Sequence, residues 1–178
     1  MAGLETGLKN PSRRVTLKLR LRVPFAASPL RRPFTSNVRG SWRNFVIVDI
    51  TCKTDRFNLS VVGSDFINDC CFGEDFSEWL VSALSAVGVS ADVICMEDFG
   101  WANQAEYQGV SYLMCVAGNS EDDASRPNYG QWHVMLERHR TFAQKLLGKY
   151  KTSASDPIVG RITQILRAAG FADVTIES

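Results

Sequence analysis

From Phe76 to Val87 the apolar residues Phe76, Trp79, Leu80, Ala83, Leu84 and Val87 fall on one face of a 3.6-residue period, which predicts an amphipathic helix. Glu74 and Asp75 put negative charge in its first turn, where the helix dipole favours it, and Gly88 supplies a left-handed stop. A second helix is predicted after Ser155 or Asp156 as cap and Pro157 at the first helical position. Its stripe is Ile158, Ile162, Ile165, Leu166 and Ala169, and Gly170 ends it.

Elsewhere the pattern has a period of two or runs apolar, as strands do. Phe45–Cys52 and Arg56–Val62 read as strands joined by a turn at Lys53-Thr54-Asp55. Ala91–Met96 is a short apolar strand, and Phe99–Glu106 with Val110–Ala117 form a hairpin around Gln108-Gly109. In Gln131–Arg138, Trp132, Val134 and Leu136 take one face, and His133, Met135 and Glu137 the other. Phe142, Leu146 and Leu147 suit one or two helical turns ended by Gly148, and Asp173–Glu177 is a closing strand. Neither helix can hide its stripe alone. The pattern therefore predicts an α+β two-layer sandwich: a mainly antiparallel sheet with two principal helices on one face, a variant of the split βαβ arrangement.

Charge divides the chain at about residue 44. Residues 1–44 hold ten Lys and Arg against Glu5 alone, a formal charge of +9. Residues 45–178 hold ten cations against 18 acids, or −8, so the overall +1 conceals two unlike segments. The first segment carries Pro11, Pro24, Pro29 and Pro33 around one alternating stretch, Val15–Val23. It reads as a basic, poorly ordered extension, 1–44, before a single domain, 45–178. Its makeup fits three uses: a solvated tail, an organelle transit segment, or a nonspecific contact for nucleic acid or anionic lipid. The alternating stretch also suits an edge strand that adds to a sheet. No apolar run is long enough to span a bilayer, and five cysteines without C-x-x-C spacing fit a reducing cytosol.

Glu97-Asp98-Phe99-Gly100-Trp101 sets two carboxylates beside two aromatics at the join between two strands. Glu97 or Asp98 could serve as a general base or bind a cation, with Trp101 as an aromatic platform. The plainer alternative is a tight turn whose acids face water. Phe72-Gly73-Glu74-Asp75-Phe76, followed by a helix and this acid-acid-aromatic-Gly-Trp element, resembles a family of small bacterial α+β proteins of unassigned function carrying E-D-W-G-W. The resemblance covers roughly residues 66–178 and implies one compact domain, with no established active site.

Other constellations are weaker. Cys71, in Asn68-Asp69-Cys70-Cys71, would need His133 or His139 as a base, against the opposing charge of Asp69, Glu74 and Asp75. His133, His139 and Glu137 would share a face if their strand ran unbroken, yet one strand rarely supplies a closed metal site. Glu121-Asp122-Asp123 lacks the spacing of a calcium loop. No phosphate- or dinucleotide-binding motif is present, so no cofactor is implied.

With no complete catalytic set, the reading is a cytoplasmic protein-binding module whose acidic surface meets a basic protein partner. Its contacts are Glu97, Asp98, Trp101, Glu121, Asp122 and Asp123. The alternatives are a small enzyme built on Glu97 or Asp98 with Cys71 or His133 assisting, and nucleic-acid binding through residues 1–44.

Overall fold

The computed structural model describes residues 48–64, 66–67, 72–98 and 100–178. Residues 1–44, the start of the first predicted strand, Cys70, Cys71 and Phe99 lie outside them.

Six strands form one sheet: β1 (Val48–Thr54), β2 (Ser90–Glu97), β3 (Gly100–Tyr107), β4 (Val110–Ser120), β5 (Gly130–Arg138) and β6 (Ala172–Glu177). Among the described residues three helices interrupt them: α1 (Glu74–Ala86), α2 (Phe142–Leu146) and α3 (Pro157–Ala168). The strand order is β2-β3-β4-β5-β1-β6, and every neighbouring pair is antiparallel. β5 and β6 therefore run the same way with β1 between them, the split arrangement that a connection through α3 produces. This is an α+β fold.

Both principal helices end by the same device. Gly88 (φ 81°) and Gly170 (φ 78°) take left-handed conformations. The Val89 and Phe171 amides then donate back to the Leu84 and Leu166 carbonyls, a Schellman closure. Val89 and Phe171 are themselves buried, so each helix stop anchors the strand that follows. Asp156 stands at the α3 N-cap with Pro157 inside it, although its carboxylate makes no cap hydrogen bond and accepts instead from the Tyr112 hydroxyl at 3.4 Å.

Phe76, Leu80 and Leu84 of α1 and Ile158, Val159, Ile162 and Leu166 of α3 join one core with alternate strand residues such as Ile50, Met114, Trp132 and Leu136. Its centre is aromatic. Phe57, Phe76, Trp79, Trp132 and Phe171 meet at ring-centre distances of 4.7–6.1 Å, mostly tilted or edge-on.

The hairpin turns on Gln108 (φ 52°) and Gly109 (φ 73°), both left-handed as a two-residue loop requires. The predicted strand Arg56–Val62 does not form. That segment is irregular, with Phe57 and Leu59 buried against the core. The Asn58 side chain accepts from the Ser60 and Val61 amides and donates to the Val61 carbonyl, folding the segment upon itself. Asp75 of α1 accepts from the Asn58 amide at 2.8 Å. Asn128 accepts from the Leu59 amide and the Ser60 hydroxyl, which leaves no backbone edge for a strand partner.

Candidate functional site

Strand direction gathers seven acids at one end of the sheet. β2 and β4 finish there, at Glu97 and Ser120, and so does β1, while β5 and β6 begin there. The β2–β3 turn thus presents Glu97 and Asp98, the β4–β5 loop Glu121, Asp122 and Asp123, the end of β1 Asp55, and the start of β6 Asp173. β4 extends to Ser120, three residues beyond its predicted end, and carries the second acidic group outward.

Several of these carboxylates are already engaged. Glu121 lies 2.6 Å from Lys53 Nζ, and Asp173 lies 4.0 Å from it. The Lys53 ammonium is held protonated above its ordinary range, first by its hydrogen bond to Glu121. Asp55 pairs with Arg126 at 2.9 Å, and that bond holds its carboxyl below the usual range. Asp123 accepts from the Ser125 hydroxyl at 2.6 Å and the Ser125 amide at 2.9 Å, and these bonds lower its pKa too. Asp122 is exposed at φ 56°, a conformation Asp tolerates. Exposed Val61 and Val62 follow Ser60, which is tied to Asn128 of the β4–β5 loop, so apolar surface adjoins the acids.

Trp101 neighbours Gly100, the cross-strand partner of Glu97, and so takes the other face of the sheet, paired with buried Val116. A Cβ on Gly73, just ahead of α1, would lie 3.5 Å from the Trp101 ring, and the Trp101 carbonyl accepts from buried Asn103. The Trp101 ring thus borders the start of α1.

The sheet face opposite the core residues Ile50, Met114 and Val134 carries a complete row: Cys95, Ala102, Cys115, Met135, Asp49 and Glu177. In the adjoining row Ala117, His133, Thr51 and Thr175 are register partners. His133 Nδ1 lies 2.8 Å from Asp49 Oδ2, and the Thr51 and Thr175 hydroxyls share a 2.7 Å hydrogen bond. Glu97 occupies this face as well, but three strand spacings separate β2 from β5, about 14 Å at the backbone. Glu97 and His133 therefore do not form an acid–base pair. His139 lies past the end of β5, its amide bonded to the Ser111 carbonyl, so the two histidines do not share an unbroken strand.

Thiol chemistry is unfavourable among the described cysteines. Burial pushes Cys52 and Cys115 up to about 12, and burial followed by a hydrogen bond to Glu97 raises Cys95. All three stay protonated at neutral pH and are poor nucleophiles. Among the described residues no group of three or more His, Cys, Asp or Glu is placed to hold a metal ion, and no helix is long and apolar enough to cross a membrane.

Sequence reasoning missed Asp49 as the partner of His133. It also missed the stretch Arg138–Lys151, in which Arg138, Arg140, Lys145, Lys149 and Lys151 occur without an acid. A running charge count within the acidic domain exposes the second. The first depends on strand register. Comparison with protein-family models, curated proteins and solved structures gives no match.

Proposed function

We propose that the domain is a protein-binding module whose acidic end takes a basic partner protein, with neutralisation of that partner as its use. In this reading the unit is a two-layer sandwich with both principal helices on one face. The core shared by the α1 and α3 stripes supports that arrangement.

One observation carries the reading. Four acidic segments far apart in sequence, at Asp55, Glu97-Asp98, Glu121-Asp122-Asp123 and Asp173, converge at a single end of the sheet. Val61 and Val62 give that end exposed apolar surface. A partner displaying cations among apolar side chains would be steered by the field and held by apolar contact.

The test is titration of the full chain with a peptide alternating lysine and leucine, at several salt concentrations. A variant carrying Asp98→Asn, Asp122→Asn and Asp123→Asn should bind at least about tenfold more weakly. A control with three neutralised acids elsewhere, Glu78→Gln, Asp92→Asn and Glu106→Gln, should bind nearly as the parent does. Equal losses in both variants would mean that net charge alone attracts the peptide, and the proposal would fail.

A further inference from the structure

The segment after β5 departs from the sheet and returns to it at one point. The Arg138 amide donates to the hydroxyl of buried Thr152 at 2.8 Å, closing a neck around residues 139–151. Within that excursion α2 starts on a complete capping box, with Thr141 and Gln144 bonded reciprocally, so its conformation is locally determined. Yet no residue of α2 is buried. Phe142, Leu146, Leu147 and Tyr150 are 83%, 77%, 66% and 57% exposed. Isolated apolar residues on a surface need no explanation, but four large ones within nine residues of an ordered excursion do.

From Arg138 to Lys151 the chain carries Arg138, Arg140, Lys145, Lys149 and Lys151 and no acid; Glu137 precedes the stretch and the next acid after it is Asp156. The Arg138 guanidinium sits 5.4 Å from the centre of the Tyr150 ring, and Lys145 lies 3.9 Å from Glu137. The excursion follows the finishing end of β5, whereas the acidic turns lie at the end where β5 begins. The cation-rich apolar excursion thus leaves from one end of the sheet, which also carries Glu106, Glu137 and Glu177, and the four acidic segments lie at the other.

We infer that residues 139–151 dock on an anionic phospholipid membrane surface, with Phe142, Leu146 and Leu147 entering the headgroup boundary and Lys145, Lys149 and Lys151 meeting phosphates. Apolar side chains ringed by lysines are the arrangement an interfacial anchor requires. A lipid surface needs no matching cavity, which suits an excursion whose side chains are exposed rather than grouped in a groove. The four acidic segments at the opposite end would be repelled by the same surface. This inference does not rest on the acidic-end reading and can fail independently of it.

The test is co-sedimentation of the full chain with vesicles of phosphatidylcholine containing about one-third phosphatidylserine, beside vesicles of phosphatidylcholine alone. The anionic vesicles should retain the protein and the neutral ones should not. A Phe142→Ser, Leu146→Ser, Leu147→Ser variant and a separate Lys149→Glu, Lys151→Glu variant should each lower partitioning at least about tenfold. Both change exposed residues, and unchanged thermal unfolding would verify that the fold persists. Binding that ignores the serine substitutions would mean that residues 1–44 alone hold the lipid, and would overturn the inference. It would also be overturned by no binding to either vesicle, as expected if an acidic protein covers the patch. Concentration-dependent dimers of the parent, absent in the serine variant, would overturn it in favour of a second copy.

Discussion

Asp49 Oδ2 and His133 Nδ1 meet at 2.8 Å across the β1–β5 pair, on the sheet face away from the core residues Ile50 and Val134. The other carboxylate oxygen, Oδ1, is buried without a hydrogen-bond partner among the described residues. His133 is thus the polar group that compensates Asp49. His133→Ala should cost about 1–3 kcal/mol, because it strands a partly buried carboxylate. Asp49→Ala combined with His133→Ala should cost clearly less than the two single losses added together. Urea unfolding of the four proteins gives the coupling, and strict additivity would show that the contact contributes nothing.

Glycine substitutions should act with opposite signs at two positions. Gly100 has φ 142°, and a Cβ there would lie 2.2 Å from the Val116 carbonyl oxygen. Gly100→Ala should therefore destabilise by about 3 kcal/mol or more. Gly160 lies inside α3 with nothing within 4 Å of an added Cβ. Gly160→Ala should stabilise by about 0.5–1 kcal/mol, through helix propensity and a less flexible unfolded chain. Thermal unfolding reads both.

Alkaline pH should loosen the fold. Burial raises the Cys52 and Cys115 thiols from 9.0 to about 12, and burial followed by Asp156 raises the Tyr112 phenol from 10.0 to about 12. The folded state thus favours the neutral forms. That contribution is fully present below the ordinary pKa values and is lost as pH rises toward 12. Urea midpoints should be level between pH 7 and 8 and fall from about pH 9 upward. In a Cys70→Ser, Cys71→Ser background, thiol titration at pH 8 should modify Cys95 and spare Cys52 and Cys115 until urea is added.

Lys53 offsets two of the acids at the proposed binding end. Its pair with Glu121 is at the surface, with side chains 31% and 38% exposed, so Lys53→Met should leave thermal unfolding nearly unchanged. The same change removes a cation from the acidic end and should tighten the lysine–leucine peptide several-fold. Weaker binding would mean that Lys53 orders Glu121 rather than competing for it.

What the sequence made legible follows from where physical pressure is local. The β5 alternation was visible because Trp132, Val134 and Leu136 are buried while His133 and Met135 are not. The two helices were visible because Pro157, Gly88 and Gly170 mark their ends by backbone geometry. Arg56–Val62 misled because Phe57 and Leu59, two residues apart, are both buried without pairing in a sheet. Their anchors, Asp75 and Asn128, lie 17 and 69 residues away along the chain. The acidic residues themselves were evident. Their convergence at one end was not, since it depends on strand direction and on how far β4 extends. The placement of Trp101 and Glu97 on opposite faces likewise turns on which face Gly100 leaves to its neighbour.

The most direct measurement is amide hydrogen exchange of the full chain, free and saturated with the lysine–leucine peptide. Protection is expected at the β2–β3 turn around Glu97 and Asp98, in the 120–129 loop and near Asp55, with residues 139–151 unchanged. Protection confined to 139–151, or spread evenly over the sheet, would contradict a binding surface at the acidic end.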